Sequence, residues 1–211
     1  MSYNLEEQDQ IDQLRAFWQQ WGTAISALLL VAALAWAGWS GWHWWTHRRA
    51  AQASSLYSQL SQRIAASDLN DAAPIFGKLR QDYGSTVYAQ MGALTLARAY
   101  DNAGQAAQAL PVLGWAAAHG PVAAQRAAAM LNLAALQIDA HQYEAALATL
   151  KTPPAPAFEA LFLTRRGDVY AAQGQREQAR KAYEQALSRL APDAALRQLL
   201  QIKIESVGGA E

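Results

Sequence analysis

Residues 22–42, GTAISALLLVAALAWAGWSGW, contain no charged side chain, and of the chain's eight tryptophans only Trp115 lies away from this run. A helix rises about 1.5 Å per residue, so Trp21 to Trp42 covers roughly 31 Å, the thickness of a bilayer's hydrocarbon core. Trp18 and Trp21 stand at one end and Trp42, Trp44 and Trp45 at the other. Indole rings favour the headgroup boundary, where the ring is buried and the N–H stays wet, so the two clusters read as aromatic belts. A transmembrane helix over residues 21–45 is expected, embedded in a lipid bilayer. Ala33-Leu34-Ala35 has the form of a signal-peptide cleavage triplet, but Glu6, Glu7, Asp9 and Asp12 precede the run against Arg15 alone. A cleaved leader needs a basic start, so an uncleaved anchor is the expectation.

Charge is balanced, 17 basic against 17 acidic residues, and setting aside the tail before the anchor leaves 16 against 13. That small excess has no dense cluster beyond Arg48-Arg49, so nucleic acid is not an expected partner. Cysteine is absent, which removes disulfides and thiolate chemistry together. The part beyond the anchor is rich in alanine and glutamine and poor in β-branched residues, a composition that favours helix over strand. An all-α fold follows.

Three stretches resemble one another. In LTRRGDVYAAQGQREQARKAYEQAL, Gly167, Tyr170, Gly174, Ala179, Tyr183 and Ala186 recur in order. Corresponding positions are Ala134, His141, Tyr143, Ala146 and Leu150 upstream, and Ala97, Tyr100, Gly104, Ala109 and Leu113 before that. Ala97, Ala134 and Gly167 are 37 and 33 residues apart, with His119-Gly120-Pro121 expected to absorb the excess. The pattern resembles the tetratricopeptide repeat, a helix-turn-helix unit of about 34 residues. Small residues let paired helices approach, larger ones fill the seam, and Gly104 and Gly174 end first helices with a left-handed backbone. The chain therefore reads as a short acidic segment over 1–20, the anchor, and a solenoid of antiparallel helix pairs over 46–211. Pairs are expected near 55–84, 90–118, 123–152 and 158–191, closed by a capping helix over 193–206. Within the second helix of the first pair, read as Asp71 to Tyr83, Pro74 falls in the first turn, where its missing N–H is harmless. The cap should set Leu196, Leu199, Leu200 and Lys203 on one stripe.

No phosphate-binding glycine loop, HExxH or GxSxG is present, so neither catalysis nor a bound cofactor is expected. His43 and His47 share a helix face and could ligate haem or a metal, but they also read as interfacial histidines beside Trp44 and Trp45. No further ligand pattern accompanies them, so a metal site is not expected. His119 and His141 sit at turns. Arg165-Arg166-Gly167-Asp168 reads as a solvated face with local ion pairing. What remains is a surface for protein. Tyr100, Tyr143 and Tyr170 are candidates for a groove, or for packing between helices. Ala33, Ala37 and Gly41 form a small-residue strip that admits a partner helix, a second copy of this chain included, although an alanine-rich anchor also produces such spacing by chance.

The layout resembles the YfgM-type ancillary subunit of the bacterial Sec translocon. The likeness runs from Asp9-Gln10-Ile11, Leu14-Arg15-Ala16-Phe17-Trp18 and Gly22, through the anchor and the repeat around Arg166-Gly167-Asp168, to Leu199-Leu200-Gln201-Ile202-Lys203-Ile204. It implies an inner-membrane protein with a cytoplasmic tail and a periplasmic helical domain. It also implies contact with the SecYEG translocon and a PpiD-like periplasmic chaperone in the trafficking of secreted proteins. It supplies no catalytic residues. Arg48 and Arg49 follow the anchor, and the positive-inside rule taken literally puts the repeats in the cytoplasm; a long folded domain can be translocated despite such a charge, and the family orientation is the one adopted. A scaffold for another envelope complex, such as cytochrome maturation or outer-membrane biogenesis, is the competing reading.

Overall fold

The computed structural model describes residues 3–191 and 194–208, with the side chains of residues 15, 18–24 and all described residues from 26 onward. The side chains of Glu6, Glu7, Asp9, Gln10, Ile11, Asp12, Leu14, Ala16 and Phe17, and the expected cap start at residue 193, lie outside the described residues. Among the described residues the chain is helical, with no strand. It divides into two units, Met1–Arg49 and Ala50–Glu211.

The first unit is the leading part of α1 (Tyr3–Ala65). The apolar side chains described on it are exposed all round: Leu28, Leu30, Leu34, Trp36 and Trp39 each keep more than 60 % of their surface open. A core helix of a water-soluble domain would bury one face, whereas a helix apolar on every side suits lipid. This helix is long and apolar enough to cross a membrane.

In the second unit the end of α1 is followed by α2 (Leu69–Tyr83), α3 (Val87–Asn102), α4 (Ala106–Ala118), α5 (Ala123–Asp139), α6 (Tyr143–Thr149), α7 (Glu159–Ala172), α8 (Arg176–Ser188) and α9 (Leu196–Gly208). The first four pairs of helices turn over in the same way. Ser67, Gly104, His141 and Gly174 each take a left-handed backbone, with φ of 59°, 70°, 56° and 74°. The next residue then donates its N–H five residues back, as in Gln105 to Tyr100 at 2.8 Å, Gln142 to Gln137 at 2.7 Å and Gln175 to Tyr170 at 2.8 Å. That bond satisfies a carbonyl the helix end would otherwise leave open. Measured between turns the repeats are 37, 37 and 33 residues long. The first interval matches the second yet has only Gly84–Thr86 between its helices, so His119–Pro121 is not the sole source of extra length.

Five residues past each turn stands an alanine with no exposed surface: Ala72, Ala109, Ala146 and Ala179. Four further on come Phe76, Leu113, Leu150 and Tyr183, all buried. The alanines bring paired helices together, and the large residues fill the space between pairs. Within the fourth pair the approach of α7 to α8 is close at Gly167, where a Cβ would sit 2.3 Å from the Tyr183 ring. In the third pair the position that Leu79, Ala116 and Ala186 fill elsewhere is Pro153, which lacks an N–H, and α6 stops early at Thr149.

Two details depart from expectation. Asp68 caps α2 by accepting the Asp71 N–H at 3.2 Å, so the helix starts at Leu69 and Pro74 falls in its second turn. In α9, Leu200 is fully buried, with Leu196, Ile204 and Val207 packed beside it, while Leu199 stays 47 % exposed. Leu199 lies about 100° around the helix from Leu200 and cannot share its stripe.

Candidate protein-interaction surface

The first helices of the second and third pairs leave a cleft of about 240 Å3 between them. Leu94 and Arg98 reach it from α3, Asn132, Leu136 and Asp139 from α5, and Asp101 stands at its rim. Residues four apart share a helix edge, so each helix offers one continuous strip. A second hollow of about 250 Å3, lined by Leu94, Thr95, Arg98, Ala128 and Asn132, adjoins the first. Arg98, Asp101, Asn132 and Asp139 are exposed. Arg98 and Asn132 enter none of the ion pairs or side-chain hydrogen bonds found among the described residues. An amide that both donates and accepts can hold an extended backbone, and Leu94 and Leu136 give an apolar side chain a floor.

The three tyrosines of the sequence pattern go to different places. Tyr100 is 7 % exposed and belongs to the core built by α1 to α5. Tyr143 packs on the α5–α7 core, and its hydroxyl meets His141 Nδ1 at 2.8 Å. Tyr170 packs against the α8–α9 core. Tyr100 and Tyr170 are equivalent, each four residues before its turn, whereas Tyr143 opens a second helix. Ala33, Ala37 and Gly41 are exposed on α1, and Gly41 has nothing within 4 Å of where a Cβ would be. His43 stacks on Trp39 at 5.2 Å and meets His47 edge-on at 4.7 Å. Among the described residues no group of three or more metal-ligating side chains forms. His119 stacks on Trp115 at 5.3 Å and its Nδ1 lies 2.9 Å from the Trp115 carbonyl.

A polar cluster at the far end of the repeats was not anticipated. Asp168 Oδ1 accepts from Tyr183 at 2.9 Å and from Lys203 at 2.7 Å, while Oδ2 pairs with Arg165 at 3.2 Å. Local pairing of Arg165 with Asp168 was legible, but the carboxylate's tie to α8 and α9 was not. Both partner segments, Arg166-Gly167-Asp168 and Ile202-Lys203-Ile204, carried the family resemblance, and that was the available signal. Burial first, then the Asp168 charge and its hydrogen bond, push the Tyr183 hydroxyl far above the usual tyrosine range.

Residues 15–209 match the model of a tetratricopeptide repeat-like domain family. The chain is 30 % identical over 211 residues to an ancillary SecYEG translocon subunit of Neisseria gonorrhoeae, covering 98 % of this chain and 100 % of that one. It is 26 % identical to the ancillary SecYEG translocon subunit of Escherichia coli K12, over 95 % of this chain and 96 % of that protein. Among solved structures, BtubC from P. vanneervenii superposes with a TM-score of 0.52 at 16 % identity, covering 76 % of this chain and 82 % of that one. TPR-like repeats of a putative kinesin light chain from Podosopora anserina give 0.51 at 17 % identity, covering 74 % and 84 %. At such identities the structural likeness bears on fold alone.

Proposed function

Because this chain belongs to the tetratricopeptide repeat-like family of ancillary SecYEG translocon subunits, we propose that it is a membrane-anchored, non-enzymatic module that binds the Sec translocon. The observation that carries this reading is the α3–α5 cleft, where Arg98 and Asn132 present polar groups that nothing within the described fold engages. A scaffold built only to be stable would pair or solvate such groups on its outer faces, not gather them along a concavity. In this reading residues 1–20 form a cytoplasmic tail, 21–45 the membrane helix and 46–211 a periplasmic domain. The domain takes segments of the translocon or of a PpiD-like chaperone, and hands on secreted chains as they emerge. The cleft's two carboxylates, Asp101 and Asp139, favour a segment carrying a basic residue.

Full-length protein solubilised in mild detergent is expected to co-purify with translocon subunits. Replacing both Arg98 and Asn132 by alanine, at unchanged helicity, is expected to cut that recovery about 10-fold, the worth of one or two lost charge-assisted contacts. Undiminished recovery would remove the cleft from the account. Recovery of a different envelope assembly in place of the translocon would overturn the assignment itself.

A further inference from the structure

Resting on the proposed role of the α3–α5 cleft as a binding face, we infer that it is one half of a longer groove. That groove takes an extended segment of unfolded polypeptide with an apolar and a basic residue about three positions apart. The other half is a hollow of about 360 Å3 between the end of α1 and the end of α3. Asn102 lines both, so the two hollows meet at one side chain. They are the same place in successive repeats. Counted back from the turns at Ser67, Gly104 and His141, Ile64 corresponds to Asp101, Ala99 to Leu136 and Asn102 to Asp139. The repeat keeps the hollow and changes its lining. The residues lining the first, Ile64, Ser67, Leu69, Ala99, Asn102 and Ala103, are all uncharged. The second sets Asp101 and Asp139 beside Leu136.

That difference in lining names the occupant. The first hollow suits an apolar side chain. In the second the two carboxylates outnumber the guanidinium of Arg98, and neither enters an ion pair among the described residues, so a basic side chain suits it. In the fourth pair the counterpart of Arg98 is Asp168, and the chain fills that place itself with Lys203 at 2.7 Å. Spacing sets the form of the occupant. Packed helices have axes about 8–10 Å apart, a distance an extended chain covers in about three residues. A helical occupant would need about six, and its backbone groups would already be paired. An extended segment keeps its N–H and C=O groups open. Asn102 between the hollows and Asn132 beyond it can bond both kinds, and neither makes a side-chain hydrogen bond among the described residues. Two small subsites and a backbone clamp specify little sequence, which suits an unfolded chain rather than one folded surface.

The test is photocrosslinking of the full-length chain, held in phosphatidylcholine bilayer discs, to short glycine–serine peptides carrying one photo-leucine and one arginine, with adducts mapped by mass spectrometry. With the two residues about three positions apart, adducts should form within 64–69 and 99–103. Asp101→Asn with Asp139→Asn should lower the yield about 5-fold, the worth of two exposed ion pairs. Ala103→Phe fills the first hollow from an exposed position and should also lower the yield at unchanged circular dichroism. Equal capture of a peptide with glutamate in place of arginine, or of one with the two residues adjacent, would overturn the inference. Adducts confined to the exposed Leu199 and Ile202 would do the same. No capture by the wild type, with translocon recovery still dependent on Arg98 and Asn132, would overturn this inference and leave the proposed function standing. Capture as expected, with translocon recovery independent of those two residues, would uphold the groove and remove the translocon from it.

Discussion

At Gly167 a methyl group has nowhere to go: its Cβ would lie 2.3 Å from one Tyr183 ring carbon and 2.5 Å from another. The ring cannot swing aside freely, because its hydroxyl is bonded to Asp168 at 2.9 Å. Gly167→Ala should therefore destabilise the repeats by about 1–3 kcal/mol, read from chemical denaturation. Ser67 offers the opposite case. It is exposed and sits at φ 59°, a conformation that costs an L-residue roughly 1 kcal/mol, so Ser67→Gly should raise stability by up to about that amount. Tyr183 makes a pH prediction. Its folded-state ionisation lies well above the value near 10 expected of an unfolded chain, so its contribution is complete below about pH 10. It is lost as pH rises beyond that, because the unfolded chain ionises first. Alkaline unfolding should begin later in Tyr183→Phe than in the wild type when each is compared with its own stability at neutral pH.

Among the helices, α9 depends on one long-range contact. Asp168 keeps 18 % of its side chain exposed and Lys203 31 %, so the pair is neither fully buried nor freely solvated. Lys203→Met removes the ammonium, which lies 5.5 Å from the Tyr183 ring centroid, and leaves the carboxylate with Arg165 and the phenol alone. A loss of about 1–2 kcal/mol is expected, between the values for exposed and buried pairs. Hydrogen exchange should show the loss concentrated in α9, with α3–α5 unaltered; uniform loss of protection would contradict the local role. The sequence made the turns legible at Gly104 and Gly174 because glycine advertises a left-handed backbone. Ser67 gave no comparable sign, and His141 only through its place in the repeat. The Asp168–Lys203 tie was hidden because the residues are 35 positions apart and each looks like an ordinary surface charge. Likewise Asp68 moved the start of α2 upstream of where Asp71 and Pro74 suggested.

For the whole molecule, the all-helical solenoid was readable because its small residues recur with a period, and the span because 21 residues lack charge. The cleft between α3 and α5 was not. Leu94, Arg98, Asn132 and Leu136 meet only once α3 and α5 are set side by side, and no repeat position marks them in a single helix. Orientation is a separate matter, on which Arg48 and Arg49 pull against the family. Protease added outside spheroplasts should digest the repeat domain; its survival under conditions that cleave other outer-face proteins would reverse the topology proposed here.

Photocrosslinking in living cells addresses the central claim most directly. With a photoreactive residue at position 98 or 132 of the full-length chain, adducts with translocon subunits or their associated chaperone should form. The same probe at the exposed Lys181, away from the cleft, should give none. Equal labelling from all three positions, or adducts from position 181 alone, would contradict the account.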